Sequence, residues 1–307
     1  MIIRLDRTNP FNLDFTICCG QTFRWKKDQQ WWYRTLGENV VKIRQDRSVL
    51  EFEGAKTSFI ENYFRLDDNL TDIFSLINKD STIQAAIKEF NGLRILRQEP
   101  WECLISFICA TYKNIPAIEQ MLNNLTERFG EKTCMDNKVL HTFPKPAKLA
   151  KADVNDLKSC GLGYRAKYVS ETAKLVCKKV FNPNALIQQP SEKAKKLLMN
   201  LPGVGPKVAD CILLFSLQKL EAFPIDLWIK RAILNHYQSH FSNEFLRRIS
   251  TEQSLSNSTY KKLNSFGRQY FGKYAGYAQQ YLYHYERTQE QVNHAHTGTK
   301  TTAHLFE

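Results

Sequence analysis

The stretch Leu201-Pro-Gly-Val-Gly-Pro-Lys207 decides the fold of this chain of 307 residues. Its glycines, Gly203 and Gly205, can adopt positive φ without a Cβ penalty, so the run predicts a tight hairpin. Pro206 suits the first position of a helix, where a backbone N–H would lack an intrahelical acceptor anyway. The hairpin is therefore expected to direct free N–H groups and a helix N-terminus outward. Such an arrangement is an anion site that suits a phosphate group.

A lysine and an aspartate accompany this hairpin, 19 residues apart (226 − 207). Lys207 begins the predicted helix, and Asp226 directly precedes the helical run 227–235, which predicts that its side chain is the N-cap. A lysine beside a bound phosphodiester can attack the sugar once its amine is neutral. Simpler interpretations stay open, because many lysines in a first helical turn are solvated and an aspartate N-cap is often only a cap.

The overall charge indicates a polyanionic partner. Lys and Arg outnumber Asp and Glu by 43 to 31, which gives a net charge of +12. Binding to such a partner should weaken as salt rises. The sequence begins with no apolar run of signal-peptide length and contains no 18-residue apolar stretch, so we expect no membrane partner. We therefore expect an intracellular monomer, nuclear in a eukaryote and cytoplasmic in a bacterium or archaeon.

The eight cysteines predict neither a disulfide framework nor a metal site. None of them belongs to a CxxC pair, and none lies beyond Cys211. In an intracellular chain of this length, such cysteines are most simply free thiols. We expect no metal and no cofactor.

The order of sequence patterns predicts an α+β fold. Short β-prone runs occupy 13–53, namely 22–25, 31–36, 40–44 and 49–52. The predicted helices are 57–65, 81–90, 100–112, 116–129, 153–159, 164–179, 191–200, 206–219, 227–240 and 259–286. We predict an N-terminal antiparallel β-sheet domain with flanking helices (1–90), a mostly α-helical helix-hairpin-helix body (91–287) and a polar, disordered tail (288–307).

Five blocks in this order resemble the 8-oxoguanine DNA glycosylases of eukaryotic type, within the helix-hairpin-helix superfamily. The blocks are Gly20–Trp25, Leu96–Cys109, Gly161–Ser170, the hairpin and Tyr274–Gln279. The resemblance covers 20–287. It implies a bifunctional enzyme that excises 8-oxoguanine from double-stranded DNA through a lysine Schiff base and then cleaves the strand by β-elimination (AP lyase activity). The four-cysteine iron–sulfur loop of the endonuclease III branch is missing from this sequence.

The resemblance also implies the reacting residues and the base pocket. Lys207 is implied to attack C1′ of the sugar, and Asp226 to stabilise developing positive charge or to assist proton transfer. The implied pocket residues are Gly20, Cys211, Phe215, Gln279 and Tyr283. The residues at Cys211 and Tyr283 would sandwich the flipped base, and Gln279 would bond its Watson–Crick edge. The Gly20 carbonyl would accept the N7–H that 8-oxoguanine has and guanine lacks, a bond that is worth about 1–3 kcal/mol.

The DNA-contacting positions include departures from the family. The implied contacts are Tyr112, Tyr164, Arg165, Gly203, Gly205, Val208 and Trp228. Tyr112 and Ala117 stand where the family has the Asn and Arg that bind the cytosine opposite the lesion, and Trp228 replaces a histidine. Phe215 also replaces a commoner methionine. We therefore predict a weaker preference for cytosine, with Tyr112 filling the gap by stacking.

Two other interpretations stay open from the sequence. One is a related glycosylase for another damaged base, such as an alkylated purine, against which the Gly20 and Gln279 positions argue. The other is a non-catalytic helix-hairpin-helix protein that only binds DNA. A covalent trap on lesion-containing duplex would separate the enzyme from the binding module.

Overall fold

The structure, a computed structural model, describes the backbone of residues 1–297 and the side chains of 1–290. The strands are β1 (Ile2–Arg4), β2 (Lys26–Asp28), β3 (Trp31–Leu36), β4 (Asn39–Asp46), β5 (Val49–Glu53), β6 (Lys132–Met135) and β7 (Lys138–His141). The α-helices are α1 (Leu13–Cys18), α2 (Thr57–Tyr63), α3 (Leu70–Ile77), α4 (Ser81–Glu89), α5 (Pro100–Cys109), α6 (Ile115–Phe129), α7 (Pro146–Lys151), α8 (Val154–Leu157), α9 (Arg165–Cys177), α10 (Ser191–Met199), α11 (Pro206–Phe215), α12 (Leu227–His236), α13 (Asn243–Thr251), α14 (Asn257–Phe271) and α15 (Ala275–Thr297).

The N-terminal sheet is antiparallel, as predicted, with strand order β1-β5-β4-β3-β2. Ile43 on the middle strand pairs with Trp32 on one side and Phe52 on the other. All three are buried, because residues in register across neighbouring strands project from the same face. This face packs on α2 and forms the smaller of two hydrophobic cores.

Two local predictions in the N-terminal region are wrong. Residues 13–18 form a helix rather than β structure, because the Asn12 side chain caps it by accepting from the Phe15 N–H at 2.9 Å. The run 22–25 is irregular, and the edge strand is β2 instead. Every side chain of 22–25 is buried, so its β-prone composition reflects enclosure on all sides rather than a strand.

A buried ion cluster fixes the sheet to the helical body. Glu102 on α5 accepts from Arg24 and Arg34, each at 2.7 Å, and all three side chains are almost fully buried. Burial acts against ionisation of Glu102, but the two guanidinium charges hold its pKa below the usual range. Since α5 is thus tied to the sheet, the residues farther along it are held in a fixed position.

The helical body surrounds the larger core, to which α5, α11, α14 and α15 contribute. The predicted helix 259–286 is two helices, because Gly272 adopts φ +71° and a 3₁₀ turn over Gly272–Tyr274 joins α14 to α15. The sequence analysis missed α1, α3, α7, α13 and the β6–β7 hairpin. The division between residues 90 and 91 stays a prediction; α3 and α4 pack into the larger core with the helical body.

The last helix is longer than predicted. It continues to Thr297, so residues 288–297, which we expected to be disordered, are helical. Two side-chain bonds hold its continuation: Thr288 donates to the His284 carbonyl at 2.9 Å, and Gln289 donates to Glu89 at 3.3 Å. The rest of the predicted tail, 298–307, lies outside the described residues. Within the described part, the helices are too short or too polar to cross a membrane.

Candidate active site

The hairpin has the predicted geometry at its first glycine, Gly203, and at Pro206, but not at Gly205. Gly203 adopts φ +77°, whereas Gly205 is extended (φ −87°, ψ −178°) and is the N-cap of α11. Pro206 occupies the first turn of α11, and no side chain caps this helix. Val208 lies in the same turn with its side chain buried. The first-turn N–H groups therefore have no side-chain acceptor, as an anion site requires.

Lys207 and Asp226 lie at two helix N-termini that face the same site. Asp226 is the N-cap of α12, as predicted, and its Oδ1 accepts from the Ile229 N–H at 2.9 Å. Burial raises the pKa of Asp226, while the positive charge of Lys207 and the N–H groups of α12 oppose this shift. The Lys207 ammonium lies 5.8 Å from the centre of the Phe107 ring.

Cys211 lies one turn after Lys207 on α11, as its spacing of four residues predicts. It is 3% exposed. Burial raises the pKa of its thiol to about 12, and the charge of Asp226 adds to this, while Lys207 opposes it. The Cys211 thiol is therefore neutral and forms an apolar surface beside the Lys207 amine.

An aromatic pair continues this wall. Phe215 at the end of α11 stacks on Phe107 from α5, with ring centres 5.5 Å apart and an interplanar angle of 16°. Phe107 thus lies between Phe215 and the Lys207 amine, yet the sequence analysis did not select it. Its place within the block 96–109 was the available signal.

Gly20 and Tyr283 are in direct contact at the other wall. Gly20 adopts φ +79°, and a Cβ there would come within 2.9 Å of the Tyr283 hydroxyl and 3.2 Å of its ring. Arg287 spans the same region, because it donates to the Cys18 carbonyl at 2.7 Å and approaches the Tyr283 oxygen at 3.5 Å. A side chain at position 20 would be strained by this backbone angle and would require the Tyr283 ring to shift. A cleft of about 260 Å³ lies next to it.

Gln279 supplies a buried amide with an unused acceptor. It lies on α15, four residues before Tyr283, and is 4% exposed. Its Oε1 has no hydrogen-bond partner among the described residues. A buried acceptor in this state costs about 1–3 kcal/mol unless a ligand donates to it.

The predicted contacts to the opposite strand occupy an exposed loop and the start of α9. Tyr112 is 70% exposed and Tyr164 is 54% exposed, although both are large aromatic residues. Tyr112 adopts φ +54°, which a bulky residue seldom does. Arg165 is buried rather than exposed, because its guanidinium donates to the Thr111 carbonyl and covers the Tyr164 ring at 4.4 Å. This bond ties the Tyr112 loop to α9.

Tyr168 connects this face to the hairpin, and the sequence analysis did not assign it a role. Its ring packs edge-on against Tyr164, with centres 5.9 Å apart. A Cβ at Gly203 would meet the same ring at 2.5 Å. Trp228 lies apart from this group in the first turn of α12, where Arg231 covers its ring at 5.0 Å.

Comparisons with known protein families agree with this architecture. The family model of the 8-oxoguanine DNA glycosylase N-terminal domain matches residues 2–104. The model of the HhH-GPD superfamily of base excision DNA repair proteins matches residues 105–261, which contain the hairpin and both helix N-termini of the site.

Individual relatives match over most of their length. The chain is 35% identical over 303 residues to an N-glycosylase/DNA lyase of Saccharomyces cerevisiae, covering 86% of this chain and 80% of the yeast protein. It is 31% identical to a probable N-glycosylase/DNA lyase of Methanothermobacter thermautotrophicus, covering 94% and 97%.

A solved structure supports the same assignment. The 8-oxoguanine glycosylase/lyase of Clostridium acetobutylicum, in complex with double-stranded DNA containing cytosine opposite 8-oxoguanine, superimposes with a TM-score of 0.83 at 30% identity, over 94% of this chain and 98% of that one. The chain therefore belongs to the 8-oxoguanine DNA glycosylase family, within the HhH-GPD superfamily of base excision DNA repair enzymes.

Proposed function

We propose that this enzyme excises 8-oxoguanine from duplex DNA by using Lys207 as the nucleophile and then cleaves the strand. The observation that carries the proposal is the junction of two helix N-termini, where Lys207 and Asp226 interact beside the buried thiol of Cys211. Both charged residues are half-buried, which strengthens the interaction between them relative to open water.

The chemistry follows from an amine facing an everted nucleotide. The neutral Nζ of Lys207 attacks C1′, and the bond from C1′ to N9 breaks with its electron pair leaving on the base, which takes up a proton. Opening of the sugar gives a protonated Schiff base on Lys207. Loss of a C2′ proton from it then expels the 3′ phosphate by β-elimination. Asp226 can stabilise the positive charge on the sugar or carry a proton, since a carboxylate supports either role.

Two polar groups support 8-oxoguanine as the substrate. The unused Oε1 of Gln279 suits the N1–H and amino group of a guanine-type Watson–Crick edge. The backbone of Gly20 lies against Tyr283, at the wall where its carbonyl would meet N7–H of the oxidised base. For normal guanine, the same carbonyl would face a lone pair and lose a bond worth about 1–3 kcal/mol, a tenfold to hundredfold preference.

The hairpin is proposed to hold the DNA backbone while Tyr112 fills the gap left by the flipped base. Gly203, Gly205 and Val208 offer backbone N–H groups to a phosphate near α11. Tyr112 is exposed for stacking, and a tyrosine ring cannot reproduce the base-edge bonds of an amide. We therefore infer a weak preference for cytosine opposite the lesion. The active species is proposed to be an intracellular monomer.

Borohydride trapping on a duplex with one 8-oxoguanine tests the proposal. The wild-type enzyme should form a covalent complex with the DNA, and Lys207→Gln should form none. A panel with alkylated purines and undamaged guanine in the same sequence then tests the substrate. Faster excision of an alkylated purine than of 8-oxoguanine would contradict the substrate assignment.

A further inference from the structure

A buried polar cluster behind the reacting groups has no part in the chemistry above. It centres on Asp210, which is 2% exposed and follows Lys207 by three residues on α11. One oxygen of Asp210, Oδ2, accepts from Tyr260 at 2.5 Å, from Asn264 at 3.0 Å and from Lys195 at 2.7 Å. Three donors on one buried carboxylate oxygen join α10, α11 and α14 at a single point.

The two α14 residues also reach the segment that carries Asp226. Tyr260 and Asn264 are four residues apart and so project from the same face of α14. The Tyr260 hydroxyl donates a hydrogen bond to Asp210 and accepts one from the Ile225 N–H at 3.4 Å. Asn264 donates to the Phe223 carbonyl at 2.7 Å in addition to Asp210. We call Tyr260 and Asn264 the α14 clamp.

The clamp therefore spans the two N-termini of the site. On the α11 side, the Tyr260 oxygen also lies 3.4 Å from the carbonyl oxygen of Pro206, the residue before Lys207. On the α12 side, the Tyr260 oxygen accepts from the N–H of Ile225, the residue before Asp226. Burial and the charge of Asp210 raise the pKa of Tyr260 well above the usual range, so the hydroxyl keeps the proton that it donates.

We propose that Tyr260, assisted by Asn264, is a positioning residue that sets the distance between the Lys207 amine and the Asp226 carboxylate. The inference rests on the proposed roles of those two residues in catalysis. Neither clamp residue touches the substrate pocket groups Gly20, Gln279 or Tyr283 by any bond in the structure. The contribution of Tyr260 should therefore appear in the chemical step and not in DNA binding. An error of about 1 Å in the reacting geometry can cost about a hundredfold in rate.

The test is Tyr260→Phe, compared with Tyr237→Phe. Tyr237 is a buried tyrosine that also donates to a carboxylate, Asp80, at 3.3 Å, and it lies at the far end of α12, eleven residues after Asp226 (237 − 226). Both variants lose a buried tyrosine hydroxyl. For each we measure the single-turnover rate of 8-oxoguanine release at saturating enzyme, the Kd for duplex with a tetrahydrofuran abasic analogue, and the Tm.

Tyr260→Phe should release the base about tenfold more slowly or worse, with Kd within about twofold of wild type. Tyr237→Phe should keep the wild-type rate, although its Tm falls by a similar amount. A rate loss for Tyr260→Phe no greater than that for Tyr237→Phe overturns the proposal. If Tyr260→Phe fails to fold, Asn264→Ala decides by the same comparison. Lys207→Gln is run alongside, and retention of its activity would refute the proposed nucleophile instead.

Discussion

The two sides of the DNA-binding region differ in how their residues are held. On the lesion side, Lys207 and Asp226 lie half-buried at two helix N-termini beside the buried Cys211, and a side chain at Gly20 would displace the Tyr283 ring. On the opposite-strand side, Tyr112 is largely exposed on a loop with a positive φ. The sequence resemblance implies that the lesion side carries the family's reacting residues, Lys207 and Asp226, and that the other side departs from the family at Tyr112 and Ala117.

From this contrast we propose that the chemistry and the readout of the opposite strand can vary separately in this fold. The segments that carry Lys207 and Asp226 are linked through Tyr260 and Asn264 of α14, so we expect a change there to disturb both. The Tyr112 loop is fixed mainly by the bond from Arg165 to the Thr111 carbonyl. Replacing one exposed ring on such a loop can alter base preference without moving the nucleophile.

The largest expected effect belongs to the lesion side. Lys207→Gln should lower base release by about 10⁴-fold or more, because the variant lacks the amine that we propose as the nucleophile. Lys88→Gln, an exposed lysine on α4, is the matched control and should leave the rate unchanged. Single-turnover kinetics on 8-oxoguanine duplex measures both. Comparable rates of base release for Lys207→Gln and Lys88→Gln would contradict the role of Lys207 as the nucleophile.

The second effect concerns the thiol beside the amine. A pKa raised from 9.0 to about 12 lowers the thiolate fraction of Cys211 about a thousandfold at pH 8. Iodoacetamide at pH 8 should therefore modify the exposed Cys134 long before Cys211, as read by peptide mass spectrometry. In denaturant, both cysteines should react at similar rates. Equal modification in the folded enzyme would mean that the lesion side is open to water.

Position 20 gives the third effect. Gly20→Ala places a methyl group 2.9 Å from the Tyr283 hydroxyl, so that ring must shift within the pocket. We expect excision of 8-oxoguanine to fall by about tenfold to a hundredfold. Gly37→Ala is the control, since Gly37 has a similar φ of +60° but nothing within 4 Å of the added carbon. Equal losses in the two variants would assign the effect to backbone strain.

The smallest effect belongs to the opposite-strand side. The wild-type enzyme should excise 8-oxoguanine opposite cytosine and opposite adenine at rates within about tenfold of each other. Tyr112→Asn with Ala117→Arg should raise that ratio about tenfold, because the new side chains can bond a base edge. The rate opposite cytosine should not fall. A strong cytosine preference in the wild type would contradict the separation of the two sides.

A control for backbone strain accompanies that variant. Asparagine tolerates positive φ better than tyrosine does, so Tyr112→Asn alone should raise Tm slightly. Lys179 also has a positive φ of 57°, away from the proposed DNA contacts. Lys179→Asn should give a similar Tm gain with no change in the base ratio.

The features predicted correctly from sequence depend on nearby residues. The helix start at Pro206 and the N-cap at Asp226 follow from one or two residues, and both are present. The β6–β7 hairpin also had a local signal, since its turn residues Asp136 and Asn137 both adopt positive φ, but it was missed. Asn12 likewise precedes the missed helix α1 as its cap.

The site features that were missed depend on distant residues. Tyr260 and Asp210 meet across 50 residues of sequence, and neither belongs to a motif. The same holds for Arg165, whose bond to the Thr111 carbonyl crosses 54 residues and buries a side chain that we expected at the DNA. Burial of a charged group depends on which partner the fold brings to it, and local patterns do not encode that partner.

The most direct test of the account locates the covalent bond. The enzyme is reduced with borohydride during turnover on an 8-oxoguanine duplex, digested with protease and nuclease, and the modified peptide is sequenced by mass spectrometry. The account predicts a deoxyribose-derived adduct on the Nζ of Lys207. An adduct on another amine, or full base release with no adduct, would contradict it.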